Sequence, residues 1–180
     1  MNTLIVMDMQ QGVVNSPQPK YNKAQVIANI QHLVKAVRET QGKVIWVQHD
    51  NDDTFKPGCD NWALIPEMPV EPGDITVGKT ACDAFVHSAL SEHLSLDDTT
   101  IICGCATDFC MDATIKAGAA RGFAFVIPTD AHSTSDREHM DAGVLIQHYH
   151  FVWQNLIVPG VSLLLPTTLE CIESLTSTSA

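Results

Sequence analysis

The sequence predicts an α/β protein, folded as one domain over residues 1–180 into a three-layer α/β/α sandwich with a six-stranded parallel sheet. Short apolar segments of strand length alternate along the chain with segments of helical periodicity. The strand segments are apolar on both faces, which is typical of a parallel sheet covered by helices on both sides. A chain of 180 residues is also long enough for a single domain with a full core.

The first half of the chain begins with two apolar strands, predicted at residues 4–7 and 43–48. A helix is predicted between them at residues 24–39, because Asn22 can cap its start and Gly42 follows its end. One face of this helix is apolar. That face consists of Val26, Ile27, Ile30, Leu33, Val34 and Val37.

A long connection, residues 49–74, is rich in Asp, Pro and Gly and contains Trp62. Connections of this length in compact domains are usually functional or partly structured. The later elements continue the alternation of strands and helices. We predict strands at residues 74–77, 99–103, 123–128 and 161–165, and helices at 85–94, 111–121 and 136–155. The last helix could break at Gly143, and the tail at 174–180 is expected to fray.

The charge and composition of the chain exclude some classes of binding partner. The chain carries 21 acidic and 10 basic residues, a net charge of −11, and no cluster of Lys or Arg. Nucleic acid and anionic membranes are therefore not expected as partners. The first residues lack the basic region and cleavage site of a signal peptide, so we expect a cytoplasmic protein. Its six cysteines are expected to be free thiols, most of them in the core.

Several reactive side chains follow predicted strands. Asp8, His49, Lys79, Cys110 and Asp130 each lie at or just beyond the carboxyl end of one. Right-handed crossovers bring these ends to one sheet edge, where open α/β sheets bind ligands. Cys110 also lies near a predicted helix start, an environment that lowers a thiol's pKa and favours the nucleophilic thiolate. Taken singly, Asp8 could be a capping residue, Lys79 a surface lysine and Cys110 a core cysteine.

Four segments, in order, resemble the motifs of the isochorismatase-like cysteine hydrolases, a superfamily that includes nicotinamidases and N-carbamoylsarcosine amidohydrolases. The resemblance covers residues 3–165 and implies their Rossmann-like fold. The four motifs together are specific for the superfamily and much less specific for any one substrate. The segments are MDMQ at residues 7–10, GKTACDAF at 78–85, GCATDFC at 104–110 and DAHST at 130–134.

The resemblance implies a catalytic triad in which Cys110 is the nucleophile, Asp8 is the general acid and base, and Lys79 supplies the stabilising charge. It also implies a cis peptide between Cys105 and Ala106, with the N–H groups of Ala106 and Cys110 forming an oxyanion hole. The presence of the cysteine favours hydrolysis of an amide, carbamoyl or imide C–N bond in a small molecule through a thioester. The superfamily's dimers and tetramers imply a homo-oligomer.

No metal and no cofactor are expected. The loop from His49 to Asp53 departs from the metal-binding spacing of nicotinamidases, so we interpret it as a solvated acidic loop. His148 and His150 alternate on a predicted helix and do not share a face, which makes them a poor metal clamp. Trp62 and Phe85 are candidate walls of a substrate pocket, although such aromatics are more often core. His132 could line the rim or cap the next segment.

Three rival functions stay open. The first is hydrolysis of a vinyl ether, as in isochorismatases proper, with Cys110 incidental. The second belongs to another class of protein, a thiol redox sensor that pairs Cys110 with Cys103 or Cys105. The third is a catalytically idle binding partner. The apolar segment 145–158 could form an interface or pack on its own sheet.

Overall fold

The computed structural model describes residues 2–177, which form one parallel sheet with helices on both faces. Every strand pair in the sheet is parallel, as predicted. The strands are β1 (Asn2–Met7), β2 (Lys43–His49), β3 (Ile75–Lys79), β4 (Thr99–Cys105), β5 (Phe125–Val126), β6 (His132–Ser133) and β7 (Leu163–Leu164).

The sheet has seven strands, one more than predicted, in the order β3-β2-β1-β4-β5-β7, with β6 also paired to β4. The extra strand arises because β5 and β6 occupy one position: β5 pairs with Thr100 and Ile101, and β6 with Gly104 and Cys105. The strand predicted at 123–128 is therefore reduced to the short β5, and pairing with β4 resumes in β6, which begins four residues after Pro128. Proline has no N–H for a ladder hydrogen bond, so it interrupts the strand.

Helices cover both faces of the sheet. A π-helical turn, Thr107–Met111, leads directly into α3, and a 3₁₀ turn occupies Leu90–His93. No helix within residues 2–177 is both long and apolar enough to cross a membrane. The helices are α1 (Gln11–Val14), α2 (Lys23–Glu39), α3 (Asp112–Ala120), α4 (Ala142–Gln154) and α5 (Thr168–Ser177).

The helix predicted at 85–94 is wrong, and only the 3₁₀ turn Leu90–His93 forms there. Side chains compete for the backbone in this segment: the Phe85 N–H donates to Asp83 Oδ1, and Ser88 Oγ donates to the Ala84 carbonyl. His87 adopts a φ of +49°, which a right-handed helix cannot contain.

Two further boundaries differ from prediction. The helix expected from residue 136 begins at Ala142, whose N–H donates to Asp136 Oδ1, and Gly143 lies inside it without a break. The tail expected to fray from residue 174 is helical in α5 as far as Ser177, and residues 178–180 lie outside the described chain. A capping box starts α5, since Glu170 Oε2 accepts from the Thr167 N–H and the Glu170 N–H donates to Thr167 Oγ1.

The central strands bury both faces, as predicted, whereas the edge strands β3 and β7 keep some residues exposed. Strand β1 shows the burial best because its side chains alternate between two cores. Leu4 and Val6 face the core beneath α2 and α5, while Ile5 and Met7 face the core beneath α3 and α4. All four side chains are fully buried. Burying such residues contributes about 1.5–3 kcal/mol each. The strand ends that carry polar side chains are thereby held in a rigid sheet.

Candidate active site

The structure brings Asp8, Lys79 and Cys110 together at the carboxyl edge of the sheet. Asp8 follows β1, Lys79 ends β3, and Cys110 lies in the π-helical turn after β4. Lys79 Nζ is 2.9 Å from Asp8 Oδ2 and 3.2 Å from Cys110 Sγ. The three residues are at most 9% exposed. A carboxylate, an ammonium and a thiol therefore share one buried site.

Lys79 has four neighbours with acceptor atoms. Besides Asp8 and Cys110, its Nζ lies 3.2 Å from His49 Nδ1 and 3.2 Å from the Ala81 carbonyl oxygen. An ammonium has only three N–H donors, so four acceptors must share them. His49 is in register with Lys79 across β2 and β3, which is why the two side chains meet. The sequence predicted that His49 lies at this edge of the sheet, but it did not predict the contact between His49 and Lys79.

Asp8 presents an acceptor that nothing in the described chain satisfies. Its Oδ1 is buried and has no hydrogen-bond partner within residues 2–177, although Oδ2 is paired with Lys79. The residue adopts a φ of +48°, and its N–H donates to the Val47 carbonyl at 2.9 Å. Aspartate tolerates this left-handed region better than most residues. A buried carboxylate oxygen without a partner is costly and points to a functional role.

The charges of the site shift its pKa values. Burial raises the pKa of the Asp8 carboxyl, although Lys79 and Cys110 lower it in part. Burial would lower the pKa of Lys79, but the charge of Asp8 and the hydrogen bonds of Lys79 with Asp8 and Cys110 outweigh it and raise that pKa. Lys79 thus carries its positive charge, and Asp8 is a stronger base than an ordinary aspartate.

The expectation of a lowered pKa for Cys110 is wrong. Burial raises the pKa of the Cys110 thiol, and the charge of Asp8 raises it further, while Lys79 opposes both. The sequence indicated the helix start but could not show how deeply the thiol is buried. Cys110 therefore rests as a thiol, and its nucleophilicity depends on a base that takes the proton during attack.

The turn that carries Cys110 has a specific backbone. The peptide bond between Cys105 and Ala106 is cis, and the Ala106 carbonyl accepts from the N–H groups of Phe109 and Met111 at 3.1 Å each. Gly104 has a φ of +115°, and a Cβ there would collide with the Met7 backbone. Glycine at this position thus lets β4 lie close to β1 as the chain enters the turn.

His132 contacts the start of this turn and also borders a small cavity beside Tyr21 and Ile146. Its side chain is buried, with Nδ1 2.8 Å from Thr107 Oγ1 and Nε2 3.0 Å from His150 Nε2. Burial lowers the pKa of His132 to about 3, so the ring is neutral. His150 of the predicted alternating pair turns inward to this contact, whereas His148 is exposed.

The two aromatic candidates differ in their placement. Trp62 is half-buried in the long connection, and its Nε1 donates to Asp50 Oδ1 at 2.6 Å. Phe85 is in the core, where its ring stacks on Phe123 with centroids 5.6 Å apart and lies under Arg121. The structure therefore does not bring Phe85 to the site as a wall.

The other thiols do not form disulfides or a metal site within the described residues. All six cysteines are free, and Cys103 and Cys105 are buried. Burial raises the pKa of Cys105 to about 12 and also raises that of Cys103. Neither thiol therefore ionises readily. Across residues 2–177, no group of three or more His, Cys, Asp or Glu side chains is arranged to hold a metal ion.

The chain is similar to proteins of one family. The isochorismatase domain model matches residues 2–151. The uncharacterized isochorismatase family protein YwoC of Bacillus subtilis (strain 168) is 33% identical over 155 residues, which cover 76% of this chain and 80% of that protein. A crystal structure of an isochorismatase family protein superimposes with a TM-score of 0.81 at 28% identity and covers 91% of this chain and 97% of that one.

Two relatives carry names of hydrolases. The streptothricin hydrolase of Streptomyces noursei is 30% identical over 139 residues, which cover 74% of this chain and only about half, 54%, of that protein. The ureidoacrylate amidohydrolase RutB of Methylobacterium radiotolerans is 26% identical over 183 residues, covering 79% of this chain and 70% of that one. With the domain model and YwoC, these similarities show that the chain belongs to the isochorismatase family of hydrolases.

Proposed function

We propose that this protein hydrolyses a non-peptide amide or carbamoyl C–N bond of a small molecule through a thioester on Cys110, with Asp8, Lys79 and Cys110 as catalytic residues. One observation carries the proposal. Lys79 Nζ lies 2.9 Å from Asp8 Oδ2 and 3.2 Å from Cys110 Sγ in a buried site. The names of the hydrolase and amidohydrolase relatives agree with this class of reaction.

In the first half of the reaction, Cys110 Sγ attacks the carbonyl carbon and forms a C–S bond while the thiol proton passes to Asp8. The raised pKa of Asp8 suits it to this transfer, since a stronger base accepts a proton more readily. The carbonyl electron pair moves onto oxygen and returns as the C–N bond breaks. Asp8 then gives its proton to the departing nitrogen, which leaves as ammonia or an amine.

In the second half, water attacks the thioester carbon and loses a proton to Asp8. The C–S bond breaks, the acid product leaves, and Cys110 takes the proton back as a thiol. Lys79 stabilises the sulfur whenever it carries negative charge, because its ammonium lies 3.2 Å away. His49 keeps Lys79 in place as a neutral acceptor, since burial and then Lys79 itself lower the pKa of His49.

The oxyanion that forms in both halves needs donors of its own. We assign this role to the backbone N–H groups of Ala106 and Cys110, which flank the turn after β4. Ala106 is half-buried, whereas Cys110 is only 9% exposed. Removal of one such donor typically costs about 3–4 kcal/mol in the transition state. Trp62 stays a candidate contact for the substrate.

The test is to trap the acyl-enzyme. The purified protein is mixed with a panel of primary amides and carbamoyl compounds, quenched in acid within milliseconds and analysed by intact mass and peptide mapping. We expect a mass increase of one acyl group on Cys110, release of ammonia, and neither in Cys110→Ala. Cys82→Ser is the matched control, because Cys82 is an exposed thiol near the same site.

Other results would contradict the proposal. Ammonia release by Cys110→Ala would exclude the thioester route. Turnover of isochorismate after complete alkylation of Cys110 would favour the vinyl ether hydrolase. A reversible disulfide between Cys110 and Cys103 or Cys105 under peroxide, without hydrolysis of any amide, would favour the redox sensor.

We also propose that the protein is a homo-oligomer, a dimer or a tetramer, in the cytoplasm. The outer face of α4 and the segment after it carry large exposed apolar side chains, Val144, Phe151 and Ile157, of which Ile157 is 90% exposed. Exposed apolar patches of this kind often mark protein contacts. Light scattering should give a multiple of the chain mass, and Phe151→Glu should shift it toward the monomer. A monomeric mass for both the wild type and Phe151→Glu would contradict the proposed oligomer.

A further inference from the structure

Helix α4 is linked to both ends of the π-helical turn that follows β4. At the start of the turn, Thr107 Oγ1 lies 2.8 Å from His132 Nδ1. The other nitrogen of that ring, His132 Nε2, lies 3.0 Å from Nε2 of His150 on α4. Just past the end of the turn, Asp112 Oδ1 accepts from Trp153 Nε1 of α4 at 3.0 Å. The helix therefore holds the turn at both ends.

The two imidazole rings lie against a closed part of the core. His132 is 2% exposed and in register with Gly104 at the end of β4. Its ring meets those of His150 and Trp153 edge-on, with centroids 5.0 and 5.3 Å away, and Trp153 is fully buried. Thr107 is also fully buried. Because solvent does not reach His132 and Thr107, their polar atoms need partners inside the protein.

The number of protons in this chain of hydrogen bonds determines its direction. Burial lowers the pKa of His132 to about 3 and also lowers that of His150, so each ring is neutral and carries one N–H. Within residues 2–177, Thr107 Oγ1 has no hydrogen-bond partner besides His132. The buried hydroxyl proton is therefore satisfied only if it is donated to His132 Nδ1. His132 must then carry its own proton on Nε2 and donate it to His150 Nε2.

We infer that His150 is a positioning residue for the proposed reaction. As the last acceptor of the chain, it keeps the proton of His132 on Nε2, and His132 in turn holds the hydroxyl of Thr107. The turn that begins at Thr107 carries both the nucleophile and an N–H group that we assign to the oxyanion hole. His150 acts through the two residues between it and the turn, not by contact with the substrate. This inference rests on the proposed function and deepens it.

Substitutions at His150 can separate the acceptor from the rest of the ring. In His150→Gln, the side-chain carbonyl oxygen can replace Nε2 as the acceptor, whereas His150→Leu has no acceptor. His148→Leu is the matched control, because His148 is an exposed histidine on the same helix. We expect His150→Leu to lower kcat for ammonia release by about ten- to hundredfold with little change in KM, since a displaced turn slows attack more than it weakens binding. His150→Gln and His148→Leu should stay close to the wild type.

Nitrogen NMR of the imidazole rings tests the direction of the chain without any substrate. In the wild type, His132 should be protonated at Nε2 and unprotonated at Nδ1, and its signals are assigned by their loss in His132→Asn. A proton on His132 Nδ1 would overturn the inference. Equal losses of kcat in His150→Gln and His150→Leu would also overturn it, as would a wild-type kcat in His150→Leu or a comparable loss in His148→Leu.

A second readout distinguishes failure of this inference from failure of the proposed function. If the wild type releases no ammonia from any compound of the panel, the rate of Cys110 alkylation by iodoacetamide replaces kcat. A rate that changes in His150→Leu but not in His150→Gln would uphold the positioning of the thiol, while the proposed amide hydrolysis would lose its support. Equal rates in the wild type and both variants would overturn the role of His150.

Discussion

Two ion pairs lie at the same edge of the sheet and differ in almost every respect. Asp8 and Lys79 are fully buried, and Lys79 Nζ contacts one oxygen of Asp8 at 2.9 Å. Asp108 and Arg137 are partly exposed and form a fork, with Arg137 Nε and Nη2 at 2.9 and 2.7 Å from Asp108 Oδ2. The second pair satisfies its carboxylate at both oxygens, whereas the first leaves Asp8 Oδ1 unpaired.

The difference indicates what each pair does. A bidentate arginine fixes geometry, and Arg137 also stacks over the ring of Phe109, 5.1 Å from its centroid. The buried lysine contacts a thiol and an imidazole as well, so its charge is shared among groups that exchange protons. We therefore expect Asp8 and Lys79 to act in the chemistry, and Asp108 and Arg137 to hold the turn between them.

The largest expected effect is on activity. Asp8→Asn keeps the shape of the side chain but cannot accept the Cys110 proton, so we expect kcat to fall by about 10²–10⁴-fold. Asp108→Asn is the matched control at the second pair and should change kcat far less. Both are measured by ammonia release from whichever substrate the wild type hydrolyses. Equal losses in the two variants would show that both pairs act through structure alone.

The next effect is on stability. Lys79→Met leaves the Asp8 carboxyl buried without its partner, which should lower the free energy of unfolding by about 3–5 kcal/mol. Arg137→Met removes a partly exposed pair and should cost about 1 kcal/mol. Urea denaturation followed by circular dichroism gives both values. A larger loss for Arg137→Met would reverse the ranking of the two pairs.

The sequence placed the first pair at one edge of the sheet. Because the carboxyl ends of parallel strands meet there, strand assignment brought Asp8 and Lys79 to the same edge, and the family resemblance implied that they act together; the structure places them 2.9 Å apart. The contact between His49 and Lys79 depends on strand register, which the sequence left open. The contact between His132 and His150 depends on where α4 begins, and that boundary was predicted six residues too early.

Burial was the quantity that the sequence could not supply. The position of Cys110 after a strand was read correctly, yet its pKa was expected to shift in the wrong direction, because the enclosing side chains come from distant segments. One omission was avoidable. Thr167 and Glu170 have the spacing of a capping box, a signal for α5 that is visible in the sequence alone.

The pH dependence of the reaction should also distinguish the two ion pairs. The proposed reaction needs an ionised Asp8, so kcat/KM should fall as pH drops through the pKa of that carboxyl. Since burial raises this pKa, the acidic limb should lie above the ordinary value of 3.8. The profile of Asp108→Asn should have the same acidic limb. A limb at or below 3.8, or one that moves in Asp108→Asn, would assign the controlling proton to another group.

The smallest effect concerns the geometry of the second pair. Arg137→Lys keeps the charge but loses the planar fork that contacts both oxygens of Asp108. We expect unfolding to become easier by about 1 kcal/mol or less, because the pair is partly exposed and only its geometry changes.

Activity should respond to the same substitution if the fork positions the turn. Asp108 is two residues before Cys110, so a looser Asp108 should lower kcat modestly while the acidic limb of the pH profile stays in place. Urea denaturation and kcat measured on the same preparation separate the two effects. Unchanged kcat with reduced stability would show that Arg137 stabilises the fold without positioning the nucleophile, and a shifted acidic limb would instead couple the second pair to the charge of Asp8.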